Sequence, residues 1–110
     1  MKKIIILLIS IFLLCSCGSE EKDYKILMKE NKYIIIDVRT KDEYDEGHVV
    51  DAINIPYDEI DNTIEIDKDN IIFVYCKSGK RSSIAYNALT NLGYEVYDLG
   101  AFEDIELDKE

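Results

Sequence analysis

The chain has 110 residues, 47% hydrophobic and 33% charged, which suits one small globular domain and leaves no room for two. Its 13 Lys and Arg stand against 23 Asp and Glu, a formal net charge of -10 that argues against nucleic acid and anionic membrane surfaces as electrostatic partners. With one histidine and no cysteine pair in the folded part, nothing calls for a structural zinc site, another metal or a cofactor.

In chain order, Lys2 and Lys3 give a positive start and residues 4–14 an apolar stretch interrupted only by Ser10, the pattern of a secretory signal. About eleven apolar residues are too few for a bilayer core of roughly 30 Å, which takes about 20. Leu14-Cys15-Ser16-Cys17 resembles the bacterial lipobox, with a small residue directly before the modified cysteine; Cys15 fits worse, because Leu14 precedes it. The expectation is a signal peptide at 1–16, lipidation of Cys17, a tether at 17–23 and a folded domain at 24–110, with the protein extracytoplasmic and lipid-anchored in a bacterial envelope. The competing reading is ordinary cleavage near Ser16, leaving Cys17 as a free thiol.

The mature part alternates strands and helices. A helix is predicted at 23–31, with Leu27 and Met28 inward, and a strand buried on both faces at 33–38. A short charged helix at 41–46 is ended by Gly47, and a short strand at 52–55 is stopped by Pro56. Residues 57–67 are acidic and read as a helical turn and a loop. A second buried strand follows at 70–75. A helix at about 80–92 carries Ile84, Ala85, Ala88, Leu89 and Leu92 on one stripe and stops at Gly93, and a last strand lies at 95–99. Short connections between alternating elements predict an α/β fold, a small and mostly parallel sheet flanked by helices.

The run Cys76-Lys77-Ser78-Gly79-Lys80-Arg81-Ser82 sits between the second buried strand and the long helix, where open α/β sheets bind ligands. If Cys15 leaves with the signal and Cys17 carries lipid, Cys76 is the one thiol of the folded domain, without a disulfide partner. The helix start offers unpaired amides and partial positive charge to a thiolate. Lys77, Lys80 and Arg81 add full charges, and Gly79 lets the amides of 77–82 curl into an anion-binding nest. A buried cysteine capping an ordinary turn is the plain alternative, and the polar, basic residues that follow Cys76 argue against it.

The order of Cys76, Gly79, Arg81 and Ser82 resembles the active-site loop of the rhodanese-like sulfurtransferases. Asp37-Val38-Arg39, Glu43-Tyr44, Gly47-His48 and Ala52-Ile53-Asn54-Ile55-Pro56 are similar to the first signature of that family, and the two motifs together with the strand order cover about residues 24 to 102. The resemblance implies a ping-pong transfer in which the Cys76 thiolate takes the outer sulfur of a small anionic donor such as thiosulfate, releases sulfite and holds a persulfide. A thiol, cyanide or protein acceptor then removes that sulfur. Lys77, Ser78, Gly79, Lys80, Arg81 and Ser82 would bind the donor, with Asp37 and Arg39 supporting the strand end; Arg81 either meets the donor or ties the loop to a carboxylate beneath it. His48 reads as a turn or capping residue, since a thiolate favoured by a helix start needs no base. Tyr75 and Tyr97 read as core, and Tyr57 as lining the mouth of the site. Two departures stand out: the family commonly has proline and glycine where this chain has Val50 and Asp51, and the segment after Phe102 is short for the usual closing helix. Related phosphatases place five residues between cysteine and arginine, whereas four separate Cys76 from Arg81. That favours sulfur transfer over a small phosphatase or arsenate reductase, with a persulfide carrier of little independent turnover as the other alternative.

Overall fold

The structure, a computed structural model, describes residues 20–110. The expected signal peptide, Cys15, Cys17 and the first part of the tether lie outside the described residues. Helix α1, Glu20–Glu30, begins earlier than predicted and takes in the end of that tether. Leu27 and Met28 are partly covered, as is Tyr24, and Ile26 is exposed; the Asn31 side chain donates to Leu27 O at 3.1 Å and closes its last turn. No helix among the described residues is long and apolar enough to cross a membrane. The chain divides into two units between Asn31 and Lys32.

The unit from Lys32 runs β1 (Tyr33–Asp37), α2 (Lys41–Glu46), β2 (Ile53–Asn54), a 3-10 turn (Tyr57–Glu59), β3 (Ile71–Cys76), α3 (Lys80–Asn91), β4 (Glu95–Ala101) and a second 3-10 turn (Phe102–Asp104). The strands form one parallel sheet in the order β2-β1-β3-β4. β1 and β3 hold its centre because their Ile, Val, Phe and Tyr runs suit burial on both faces, as a parallel sheet requires. On one face Ile36, Val38, Ile72, Val74 and Cys76 join Ala85 and Leu89 of α3 with Tyr94 and Val96 in the main core. Tyr57 packs against this cluster too, and the Tyr94 hydroxyl donates to Ile66 O at 2.6 Å, fixing the loop after the first 3-10 turn. On the other face Tyr33 meets Phe73 edge-on at 6.0 Å and Tyr97 stacks on Phe73 at 5.6 Å. Tyr75 is core as expected, but Tyr97 is only partly buried. It stands on an edge strand, where its ring covers Phe73 and its hydroxyl reaches Glu95 Oε2 at 2.7 Å.

Three irregularities shape the carboxyl end of the sheet. The β3–β4 register slips between Val74↔Asp98 and Tyr75↔Gly100, so Leu99 is an extra residue, and Gly100 N–H is held by Asp98 Oδ1 at 2.8 Å. The segment where family members commonly carry proline and glycine is still a tight turn, closed by Ala52 N–H to Val49 O at 3.0 Å, with Asp51 at φ 69° in the left-handed region. Beyond Phe102–Asp104 the chain runs back as an extended tail rather than a closing helix. It forms an antiparallel bridge between Val49 and Lys109, flanked by bonds of 2.8 to 2.9 Å joining His48 to Glu110 and Val50 to Asp108.

Candidate active site

Cys76 is the last residue of β3 and is fully buried. The strand ends there because Lys77, Ser78 and Gly79 turn the chain into α3, and Gly79, at φ 95° and ψ -9°, holds the left-handed conformation that starts the helix. A side chain at this position would also lie over Gly100, whose Cα is 3.9 Å from where its Cβ would stand. The Gly79 N–H points at Cys76 Sγ from 2.9 Å and the Ser82 N–H from 3.3 Å. The thiol donates to Ser82 Oγ at 3.6 Å, and that hydroxyl donates in turn to Gly79 O at 3.1 Å. Burial pushes the thiol up, but the Ser82 hydroxyl and the amides of Ser82, Gly79 and Ser78 outweigh it, so the thiol titrates below its ordinary range.

The remaining loop residues divide by exposure. Lys77, Ser78 and Lys80 are exposed at the rim, and Ser82 is buried against the sulfur. Arg81 turns away to Glu43 of α2: its Nη1 donates to Oε1 at 2.8 Å and its Nη2 to Oε2 at 3.1 Å. Glu43 also completes the capping box of α2, its Oε1 accepting from the N–H and hydroxyl of Thr40 while the Thr40 hydroxyl accepts from Glu43 N–H. The Arg81 fork, stronger than the cost of desolvation, and the Thr40 bonds hold the Glu43 carboxyl down at about 2.

Asp37 and Arg39, at the end of β1, pair with each other in the interior. Arg39 Nη2 lies 2.6 Å from Asp37 Oδ2, and Arg39 Nε donates to both carboxylate oxygens. Burial lowers the affinity of the guanidinium for its proton, and the bonds and charge of Asp37 more than restore it. The same Nη2 donates to Gly47 O at 2.6 Å, and the guanidinium lies over Phe102, 4.4 Å from the ring centroid. The buried Tyr75 hydroxyl donates to Asp37 Oδ2 at 2.9 Å and accepts from Val49 N–H at 3.0 Å. This network joins the residue before Cys76 to the turn after α2. His48 caps α2 through Nδ1, which lies 2.9 Å from Tyr44 O, and its ring stacks on Tyr44. Tyr57 packs on the core. Among the described residues no group of three His, Cys, Asp or Glu side chains is placed to hold a metal ion.

Sequence reasoning thus brings Cys76, Gly79 and Ser82 together but leaves Glu43 without a role beyond its place in a motif. Its partner lies far along the chain, and only the parallel pairing of β1 with β3 sets the start of α2 beside the loop. The hydroxyl of Tyr75 was hidden in the same way, since an aromatic residue in an apolar strand carries no mark of a buried polar partner.

The rhodanese-like domain family matches residues 20–107. Over 78 residues, 67% of this chain, it is 38% identical to thiosulfate sulfurtransferase PspE of Escherichia coli (strain K12) and covers 75% of that protein. A probable molybdopterin-synthase adenylyltransferase of Porphyra purpurea is 41% identical over 68 residues, 59% of this chain, and the match takes up only 18% of that longer protein. Among solved structures, a rhodanese with anions from E. coli is 36% identical and superposes with a TM-score of 0.66 over 71% of this chain and 96% of its own.

Proposed function

The chain belongs to the rhodanese-like domain family, and from that premise we propose that it is a sulfurtransferase acting through a persulfide on Cys76. The observation that carries the reading is the sulfur of Cys76 held by the amides of Gly79 and Ser82 at the start of α3. Those donors favour the thiolate over the thiol without a neighbouring base.

In the first half-reaction the thiolate attacks the outer sulfur of thiosulfate, the bond between the two donor sulfurs breaks, and its electron pair leaves with sulfite. Cys76 is left as a persulfide anion, one sulfur longer and still singly charged. The amides of Ser78, Gly79 and Ser82 stabilise that charge, while Lys77 and Lys80 at the rim draw in the doubly charged donor. In the second half-reaction cyanide or a thiolate attacks the outer sulfur and the Cys76 thiolate returns as leaving group. Incubation of the signal-less protein with thiosulfate should add one sulfur to its intact mass, and cyanide should remove it as thiocyanate. Cys76→Ala should abolish both, and turnover surviving that substitution would sink the assignment.

A carrier that passes sulfur to one protein partner is the second reading, supported by the complete burial of Cys76. It predicts a stable persulfide with negligible turnover to cyanide. The proposed location is the outer side of a bacterial membrane, with lipid on Cys17, and rests on the residues before Gly18. Detergent partitioning of the full chain, lost on Cys17→Ala, tests it.

A further inference from the structure

We propose that Glu43 is a positioning residue for Cys76, acting through Arg81, and that Arg81 is a clamp on the loop rather than a fork that grips the donor. The proposal rests on the reading that Cys76 takes up sulfur. An arginine recognises a small oxyanion by offering two parallel N–H donors. The Nη1 and Nη2 edge of Arg81 is already engaged by one carboxylate, at 2.8 and 3.1 Å, which aims the guanidinium at Glu43. The carboxylate is itself anchored, because Glu43 Oε1 accepts from Thr40 N–H and Thr40 Oγ1, both at 3.1 Å.

Thr40 in turn follows Arg39, whose N–H is held by Asp37 Oδ1 at 2.9 Å. A rigid path therefore leads from the end of β1 through Thr40 and Glu43 to Arg81. Arg81 immediately precedes Ser82, whose N–H points at the sulfur. Fixing the Arg81 side chain fixes the backbone that delivers that amide. Lys77 and Lys80 are exposed and make no ion pair among the described residues, so the attraction of an anionic donor falls to them. Shape and attraction are thus divided between two sets of cations in one short loop.

The test compares Glu43→Gln, Arg81→Gln, the double variant and Lys77→Ala/Lys80→Ala by two readouts. The first is kcat and KM for thiosulfate with cyanide as acceptor. The second is the pH profile of Cys76 alkylation by iodoacetamide, which needs no sulfur transfer. Both single variants should move the alkylation profile upward by about one pH unit, an approximately tenfold loss of thiolate below the two midpoints. They should lower kcat with KM within about twofold, and the double variant should be no worse than either single one, because the two residues act as a unit. The lysine pair should instead raise KM. An unmoved alkylation profile, or a raised KM in Arg81→Gln together with a lowered KM in Glu43→Gln, would overturn the proposal in favour of a donor-gripping arginine. Arg81→Gln leaves the Thr40–Glu43 capping box whole, and Arg81→Lys keeps the charge beside Cys76 but not the two-pronged bond to Glu43. Arg81→Lys should show the same upward shift if the clamp is what matters and an unmoved profile if only the charge is, so it decides the matter even where Glu43→Gln does not fold. If the unaltered protein transfers no sulfur, the function above fails while the alkylation profiles still decide the clamp.

Discussion

At the scale of the residue, the chemistry of the site comes down to what faces one sulfur atom. Burial alone would make Cys76 a poorer acid, and it is the hydroxyl and amide of Ser82 with the amides of Gly79 and Ser78 that reverse the sign. Iodoacetamide should therefore modify Cys76 with a midpoint below that of an ordinary cysteine, the rate falling as pH drops through that midpoint and staying level above it. The folded thiol titrates below the unfolded one, so the thiolate contributes stability at pH above the unfolded value and loses it as pH falls through the folded value. These residues were legible because strand, glycine turn and helix start are consecutive in the chain. The engagement of Arg81 was not: both of its roles were compatible with its position, and only the approach of α2 reveals the carboxylate it meets.

At the scale of the element, the end of β1 and the turn after α2 form one polar assembly inside an apolar sheet. Asp37 is wholly buried and bonded to Arg39 and Tyr75, so Asp37→Asn leaves a guanidinium in the interior without its counter-charge. The expected loss is about 3 to 5 kcal/mol, read as a lowered midpoint in urea with little change in slope. The turn at Asp51 offers the opposite case. Its left-handed backbone strains any residue with a Cβ, aspartate less than most, and the side chain is exposed. Asp51→Gly should raise stability by about 0.5 to 1 kcal/mol without altering sulfur transfer, and thermal unfolding checks it. The sequence marked this position by a missing glycine; that the turn survives reflects how well Asp tolerates the left-handed region.

At the scale of the whole molecule, the alternation of apolar runs and helical stripes predicted the α/β sheet and its helices within a few residues, since buried parallel strands are written as continuous Val, Ile and Phe. What periodicity could not convey is the behaviour of the chain past Phe102, where pairing with residues 48–50 replaces a helix. That tail carries no apolar stripe, and its pairing is made by backbone bonds, with the Glu110 carboxylate 3.4 Å from His48 Nε2 beside them. The pairing has a consequence for how the protein is made. Each ladder of the sheet joins strands separated by a helix or a long loop, and the bridge from Val49 waits for Lys109. During synthesis no two strands zip up as near neighbours, and the turn beside the Arg39 side chain gains its bonds to residues 108 and 110 only once those have been added. The strand that carries Cys76 therefore has both of its neighbours only after β4 has been made, so the nucleophile is among the last parts of the sheet to be enclosed.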